Sequence, residues 1–166
     1  MNLNEKDKFG DYPLYWAIIK NNIEIIQLLI EYANQHQIIL ILNEKDKYGH
    51  YPFLLAIRKI NNIEIVKLWI EYANQHQIIL ELNEKNKDGW YPLLRAFDKN
   101  NIGIVQLLIE YANQHQIILE LNEKIYYGYY PLHYAIAKNN IEIVKLLIDY
   151  ANQHHIILEY DKEDIF

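Results

Sequence analysis

Four near-copies of one stretch decide what this chain can fold into. The stretch is Asn83-Glu84-Lys85-Asn86-Lys87-Asp88-Gly89-Trp90-Tyr91-Pro92, and it returns at residues 4–13, 43–52 and 122–131. Each copy opens a longer segment that closes on Tyr-Ala-Asn-Gln-His and an Ile-Ile-Leu run. The repeats therefore span residues 3–41, 42–81, 82–120 and 121–159. Three have 39 residues and the second has 40, because Ile60 is added before Asn61-Asn62. Residues 160–166 read as the opening of a fifth repeat, cut short, and residues 1–166 are expected to form a single repeat domain. A period of this size means a stacked array in which each copy hides its apolar flanks against its neighbours.

Within a repeat the local signals follow one another closely. Asp7-Lys8-Phe9-Gly10 reads as a turn, with Gly10 free to take the positive φ that such a turn needs. Pro13 suits the first position of a helix, where its missing N–H costs nothing. A short helix over about residues 13–20 follows, and Asn21-Asn22 ends it because Asn tolerates the left-handed conformation. A second helix begins near Ile23 and reaches at least Asn34. Its polar residues Glu24, Gln27, Glu31 and Gln35 mark a single wet stripe, so the rest of its circumference must be covered. Ala17, Ala56, Ala96 and Ala135 fall mid-way along each first helix, where a small residue permits close approach. The expected fold class is all-α, an array of four helix pairs joined by turn loops.

The series Asp7-Lys8-Phe9-Gly10-Asp11-Tyr12-Pro13-Leu14, then Ala17, then Asn21 to Glu31 resembles the ankyrin repeat, whose pattern is D-x-x-G-x-T-P-L-H-x-A followed by E-I-V-x-L-L-L-E. The resemblance covers all four repeats and implies an ankyrin-like α-solenoid. HEAT and armadillo arrays have similar periods but lack the Asp-x-x-Gly-x-x-Pro opening. This chain departs from the pattern in four ways. Tyr12, Tyr51, Tyr91 and Tyr130 replace the family's Thr. Its His survives only as His133. The family's helix-ending Gly is Ala33, Ala73, Ala112 and Ala151, and six residues are surplus between Glu31 and Leu42. The second helix is accordingly expected to run on by about a turn and a half.

Composition narrows the function. No Ser, Thr or Cys occurs anywhere, so serine, threonine and thiol nucleophiles are excluded, as are disulfides and Cys-based zinc sites. No Gly-rich phosphate loop is present, and an enzyme is not expected. A net charge of −6 argues against sequence-independent nucleic-acid binding. No apolar run reaches bilayer length, and the opening residues lack a basic and then apolar leader, so neither a membrane span nor a signal peptide is expected. The absence of Cys permits a reducing compartment, and a cytoplasmic location is the expectation. His36, His76, His115 and His154 recur once per repeat. They lie too far apart to converge on one ion and read as polar helix ends, so no metal and no cofactor are expected.

The four copies also differ from one another, and those differences carry the functional expectation. Around the turn Gly the variable residues are Phe9, Tyr48, Asp88 and Tyr127 before it, and Asp11, His50, Trp90 and Tyr129 after it. On the first helix they are Ile19, Arg58, Asp98 and Ala137. The ankyrin resemblance implies that turn tips and first helices contact partners. Phe9, Asp11, Ile19, Tyr48, His50, Arg58, Asp88, Trp90, Asp98, Tyr126, Tyr127 and Tyr129 are therefore the candidate binding residues, for a protein or peptide whose identity is not encoded here. Aromatics on such a rim supply contact area at low entropy cost. Trp16, Leu55, Arg95 and Tyr134 are expected to pack between repeats. Neither terminal repeat exchanges apolar faces for polar ones, which points to end-to-end self-association or to flanking repeats as the alternative. Low divergence between copies also fits a consensus-built scaffold, although Ile60, Trp69 and Gly103 speak against design.

Overall fold

The structure is a computed structural model that describes residues 2–8, 10–60, 62–124 and 128–160, with the backbone alone at Lys59 and Ile60. Phe9, Tyr126, Tyr127 and the tail 161–166 lie outside the described residues. Among the described residues all regular structure is helical. The helices come in pairs: α1 (Pro13–Ile19) with α2 (Ile23–Gln35), α3 (Pro52–Ile60) with α4 (Ile63–Gln75), α5 (Pro92–Asp98) with α6 (Ile102–Gln114), and α7 (Pro131–Ala137) with α8 (Ile141–Gln153). The chain divides into two compact halves, residues 1–81 and 82–166, at the junction of the second and third repeats. In the first half α1 packs on α2 and α3, and α3 on α4. In the second, α5 packs on α6 and α7, α7 on α8, and α6 on α8.

The helix limits follow from the residues that bound them. Pro13, Pro92 and Pro131 occupy the first turn of their helices. Asn21, Asn100 and Asn139 end the first helices in the left-handed region, with φ of 52°, 53° and 51°. The next Asn starts the second helix. Asn22, Asn62, Asn101 and Asn140 are N-caps whose side chains accept first-turn N–H groups. One Asn-Asn pair thus closes one helix and opens the next. Ile60 lengthens α3 to nine residues against seven in its three counterparts. Gly103 leaves α6 without the first-turn acid present in α2, α4 and α8.

The second helix is shorter than expected. It extends one turn past Glu31 and stops at Gln35. Ile38 N–H then reaches back to the Ala33 carbonyl at 2.8 Å, and Gln37 N–H to the Asn34 carbonyl at 3.3 Å. This paired closure puts Gln37 in the left-handed region, φ 55°, and Gln77, Gln116 and His155 do the same at 56°, 57° and 56°. The remaining surplus residues form an extended run. Within that run Leu40, Leu80 and Leu119 are buried, as are the following Leu42, Leu82 and Leu121, while Ile39, Ile79 and Ile118 face out.

Side chains hold the extended run on both sides. Asn83 donates to the Ile118 carbonyl at 2.7 Å and accepts from Glu120 N–H at 3.0 Å. Asn4, Asn43 and Asn122 make the same two-point contact with Ile39 and Ile41, Ile79 and Glu81, and Ile157 and Glu159. From the following repeat, Tyr72 accepts from Leu40 N–H and Tyr150 from Leu119 N–H, each at 3.0 Å. The Tyr that replaces the family's Thr is a third tie. Tyr51 donates to the Glu81 carbonyl at 2.7 Å and Tyr91 to that of Glu120 at 2.8 Å, from fully buried rings. Burial, assisted by the charges of Glu120 and Glu123, holds the Tyr91 phenol well above its usual range, so it remains a donor.

Rungs between repeats complete the frame. Lys6 pairs with Glu44 and Lys85 with Glu123. His76 meets Asn34 at 3.0 Å, and His154 meets Asn113 at 3.1 Å. Each of the four repeated His residues also lies against the Tyr four residues before it, ring centroids 4.2 Å apart. The recurrent His is therefore a helix C-cap, and His76 and His154 are tied to the preceding repeat.

A side chain with a Cβ is strained in the left-handed region by about 1 kcal/mol. Gln116→Gly, at a position whose side chain is exposed, is expected to raise stability by roughly 1 kcal/mol in thermal or urea unfolding. Destabilisation by that amount would show that the Gln116 side chain has a use the closure does not explain.

Candidate functional site

In the first three repeats one acidic or amide side chain builds the turn tip. In the second repeat Asp46 Oδ1 accepts from Tyr48 N–H at 2.7 Å and His50 N–H at 2.8 Å. The backbone closes the same loop, Asp46 N–H to the His50 carbonyl and Gly49 N–H to the Asp46 carbonyl. Asn86 does this in the third repeat, accepting from Asp88 and Trp90 N–H, and Asp7 in the first, accepting from Asp11 N–H at 3.0 Å. Gly10, Gly49, Gly89 and Gly128 take φ between 80° and 87°, a region open to Gly at no steric cost. In the second and third repeats these bonds tie down the backbone on both sides of the Gly, so Tyr48, His50, Asp88 and Trp90 are displayed from defined positions.

The candidate residues are placed unequally. Tyr48 and Tyr129 are exposed, 55% and 41%, and Asp88 is exposed beside them in sequence register. Asp11, Ile19, Arg58, Trp90 and Asp98 are half-buried. His50 is not a free tip residue: only 8% of it is exposed. Arg58 Nη1 donates to its Nε2 at 2.8 Å, which forces the ring proton onto Nδ1, and Nδ1 then faces Asp46 Oδ2 at 3.3 Å. His50 thus locks the tip to α3. Phe9, Tyr126 and Tyr127 lie outside the described residues.

In the second half the structure gathers Trp90, Asp98 and Tyr129 around residues expected to be packing. The Arg95 guanidinium lies over the Trp90 ring, 3.5 Å from its centroid, and its Nη1 is 3.5 Å from Asp98 Oδ2. Lys138 approaches the other Asp98 oxygen at 3.7 Å. Tyr134 meets Trp90 edge-on at 5.5 Å and Tyr129 at 6.2 Å. In the first half the matching face holds a cavity of about 260 Å³ lined by Asp11, Tyr15, Trp16, Asp46, Lys47 and Tyr48. Of the four residues expected to pack between repeats, Leu55 is in the core, Arg95 and Tyr134 are half-buried, and Trp16 is 46% exposed. The signal that would have found Trp16 and Arg95 is their lack of likeness: one position holding Trp, Leu, Arg and Tyr is not a fixed packing site.

Neighbouring tip residues should therefore respond differently to truncation. His50→Ala removes a partner of both Asp46 and Arg58 and is expected to cost about 1–3 kcal/mol. Tyr48→Ala, on an exposed ring, is expected to stay within about 0.5 kcal/mol. Urea unfolding of the two variants checks the contrast, and equal losses would contradict it.

A family model described as "Ankyrin repeats (3 copies)" matches residues 1–79 and 73–157. Comparison with curated proteins gives no match. Among the described residues no helix is long and apolar enough to cross a membrane. Ankyrin repeats are in general non-enzymatic modules that bind other proteins. With the Gly-turned tips, the Pro-started short helices and the helix pairs described above, the match over nearly the whole sequence settles the kinship: the chain belongs to the ankyrin repeat family.

Proposed function

We propose that this chain is a protein-interaction scaffold that engages a partner protein or peptide through its turn tips and first helices. The observation that supports this is the exposure of Tyr48 on a tip whose backbone Asp46 already holds, together with the exposure of Tyr129 next to Gly128. An aromatic on a preorganised loop buries large area at little entropic cost. The frame residues are spent on internal hydrogen bonds, whereas the tip residues vary from copy to copy. Frame and tip thus divide the work between stability and recognition.

Affinity capture from an extract of the source organism tests the reading. Tyr48→Glu combined with Tyr129→Glu is expected to keep the helical CD signal and lower recovery of the captured partner at least about tenfold, since central aromatics carry a large share of interface energy. Gln106→Glu, on the exposed side of α6, is expected to leave recovery unchanged. Equal recovery with the Tyr48/Tyr129 variant would remove the proposal.

End-to-end self-association is a second reading, and exposed apolar faces on α2 and α8 favour it. Ile25 is 43% exposed, whereas Ile65, Ile104 and Ile143 at the same repeat position are fully buried. Leu28 is 62% exposed, and Ile141 and Ile148 are exposed on α8. If α2 of one copy stacks on α8 of another, Leu28→Glu and Ile148→Glu should each be monomeric in light scattering, and their equimolar mixture should form a dimer. A wild-type protein that stays monomeric at high concentration would exclude it.

A further inference from the structure

The cavity on the first half has a filled counterpart in the second. At the repeat positions of Asp11 and Trp16 the third repeat holds Trp90 and Arg95. There the protein supplies its own cation: the Arg95 guanidinium stacks on Trp90, Tyr134 closes the side of the indole, and the Asp98 carboxylate takes up the charge. Planar stacking combined with a carboxylate is the environment that suits guanidinium better than ammonium.

The first half offers the same kinds of wall and no arginine among the cavity lining. Trp16 and Tyr48 are largely exposed rings, and Tyr15 meets Trp16 edge-on at 5.6 Å. Asp7 Oδ2 accepts from the Trp16 indole N–H at 3.4 Å, which fixes the ring's orientation. Asp46 is engaged by its own turn and by His50. The Asp11 carboxylate has no such engagement among the described residues. Its pKa is raised, first by partial burial and then by the like charges of Asp7 and Asp46, with Lys47 opposing least. The local field is therefore negative and under-compensated. Two native cations stand near. Arg58 is held by His50, and Lys47 places its ammonium 5.0 Å from the Tyr48 ring on an exposed, flexible stem that can swing into solvent.

We propose that this cavity receives an arginine side chain of the partner protein, the guanidinium stacking on Trp16 and Tyr48 and donating to Asp11. The proposal rests on the reading that partners meet the turn tips and first helices, and it names what one of them presents. A guanidinium there would make the charge-assisted contact that the cavity lacks, and its planar fork suits a carboxylate beside a ring.

The test is an NMR titration of the whole chain with N-ethylguanidinium chloride, which is an arginine side-chain end without a peptide. The indole N–H signal of Trp16 is expected to shift saturably. Asp11→Asn is expected to weaken the response about tenfold, the loss of one charge-assisted hydrogen bond, and n-butanol, of similar size and uncharged, is expected to give no saturable shift. Trp16→Leu should abolish the accompanying shift at Tyr48 while the remaining spectrum shows an intact fold. No saturable shift, an equal response to n-butanol, or an unchanged affinity in Asp11→Asn would each overturn the proposal. Should capture depend on Tyr48 and Tyr129 while ethylguanidinium does not bind, the arginine site fails and the interaction face stands. Should ethylguanidinium bind as expected while capture ignores those tyrosines, the site stands and the wider face fails.

Discussion

The structure depends on an amide side chain doing the work of a strand. A chain segment without helix or sheet carries one N–H and one C=O per residue, and burying them unpaired is costly. The run that follows each second helix faces that problem, because its leucines must enter the core. An Asn side chain holds an N–H donor and a C=O acceptor side by side in one plane, as a neighbouring backbone would, with a second N–H to spare. Asn4, Asn43, Asn83 and Asn122 each pair with a carbonyl and an N–H two residues apart on that run. The surplus residues of this unusual period are thereby held without a sheet.

The opening motif can then be read letter by letter. Asn clamps its own repeat's extended run, while Glu and Lys form a rung with the adjacent repeat. In the first three repeats Asp or Asn folds the tip; Gly turns it, Tyr ties back to the end of the repeat, and Pro starts the helix. Near the end, Tyr takes an N–H from the preceding repeat and Ala accepts the helix-closing bond. Asn and His pair across the step. Almost every invariant position has a polar or steric task inside the frame, which leaves the tips as the places free to vary.

What the sequence showed and what it hid divide by distance. Gly10, Pro13 and Asn21 were legible because each acts through its own φ or the next turn of helix. The helix stop at Gln37 was not, since Gln seldom takes the left-handed conformation and nothing in its type announces it. The Asn clamp was hidden because its partners lie 35–38 residues away. His50 looked like a tip residue until Arg58, eight residues on, proved to hold it inward. Trp90 looked exposed until Arg95 covered it. Trp69, in the slot of Leu108 and Leu147, is fully buried with an indole N–H that finds no partner among the described residues, and the structure offers no use for it.

The central claim is that the Asn side chain, more than helix packing, fixes the extended run. The most direct measurement is amide hydrogen exchange on Asn83→Ala, read at Glu120 and across α6. The account predicts a loss of at least about tenfold in protection at Glu120, together with a fall of roughly 1–3 kcal/mol in global stability, the usual consequence of stranding paired backbone groups. Unchanged exchange at Glu120 with unchanged stability would contradict it.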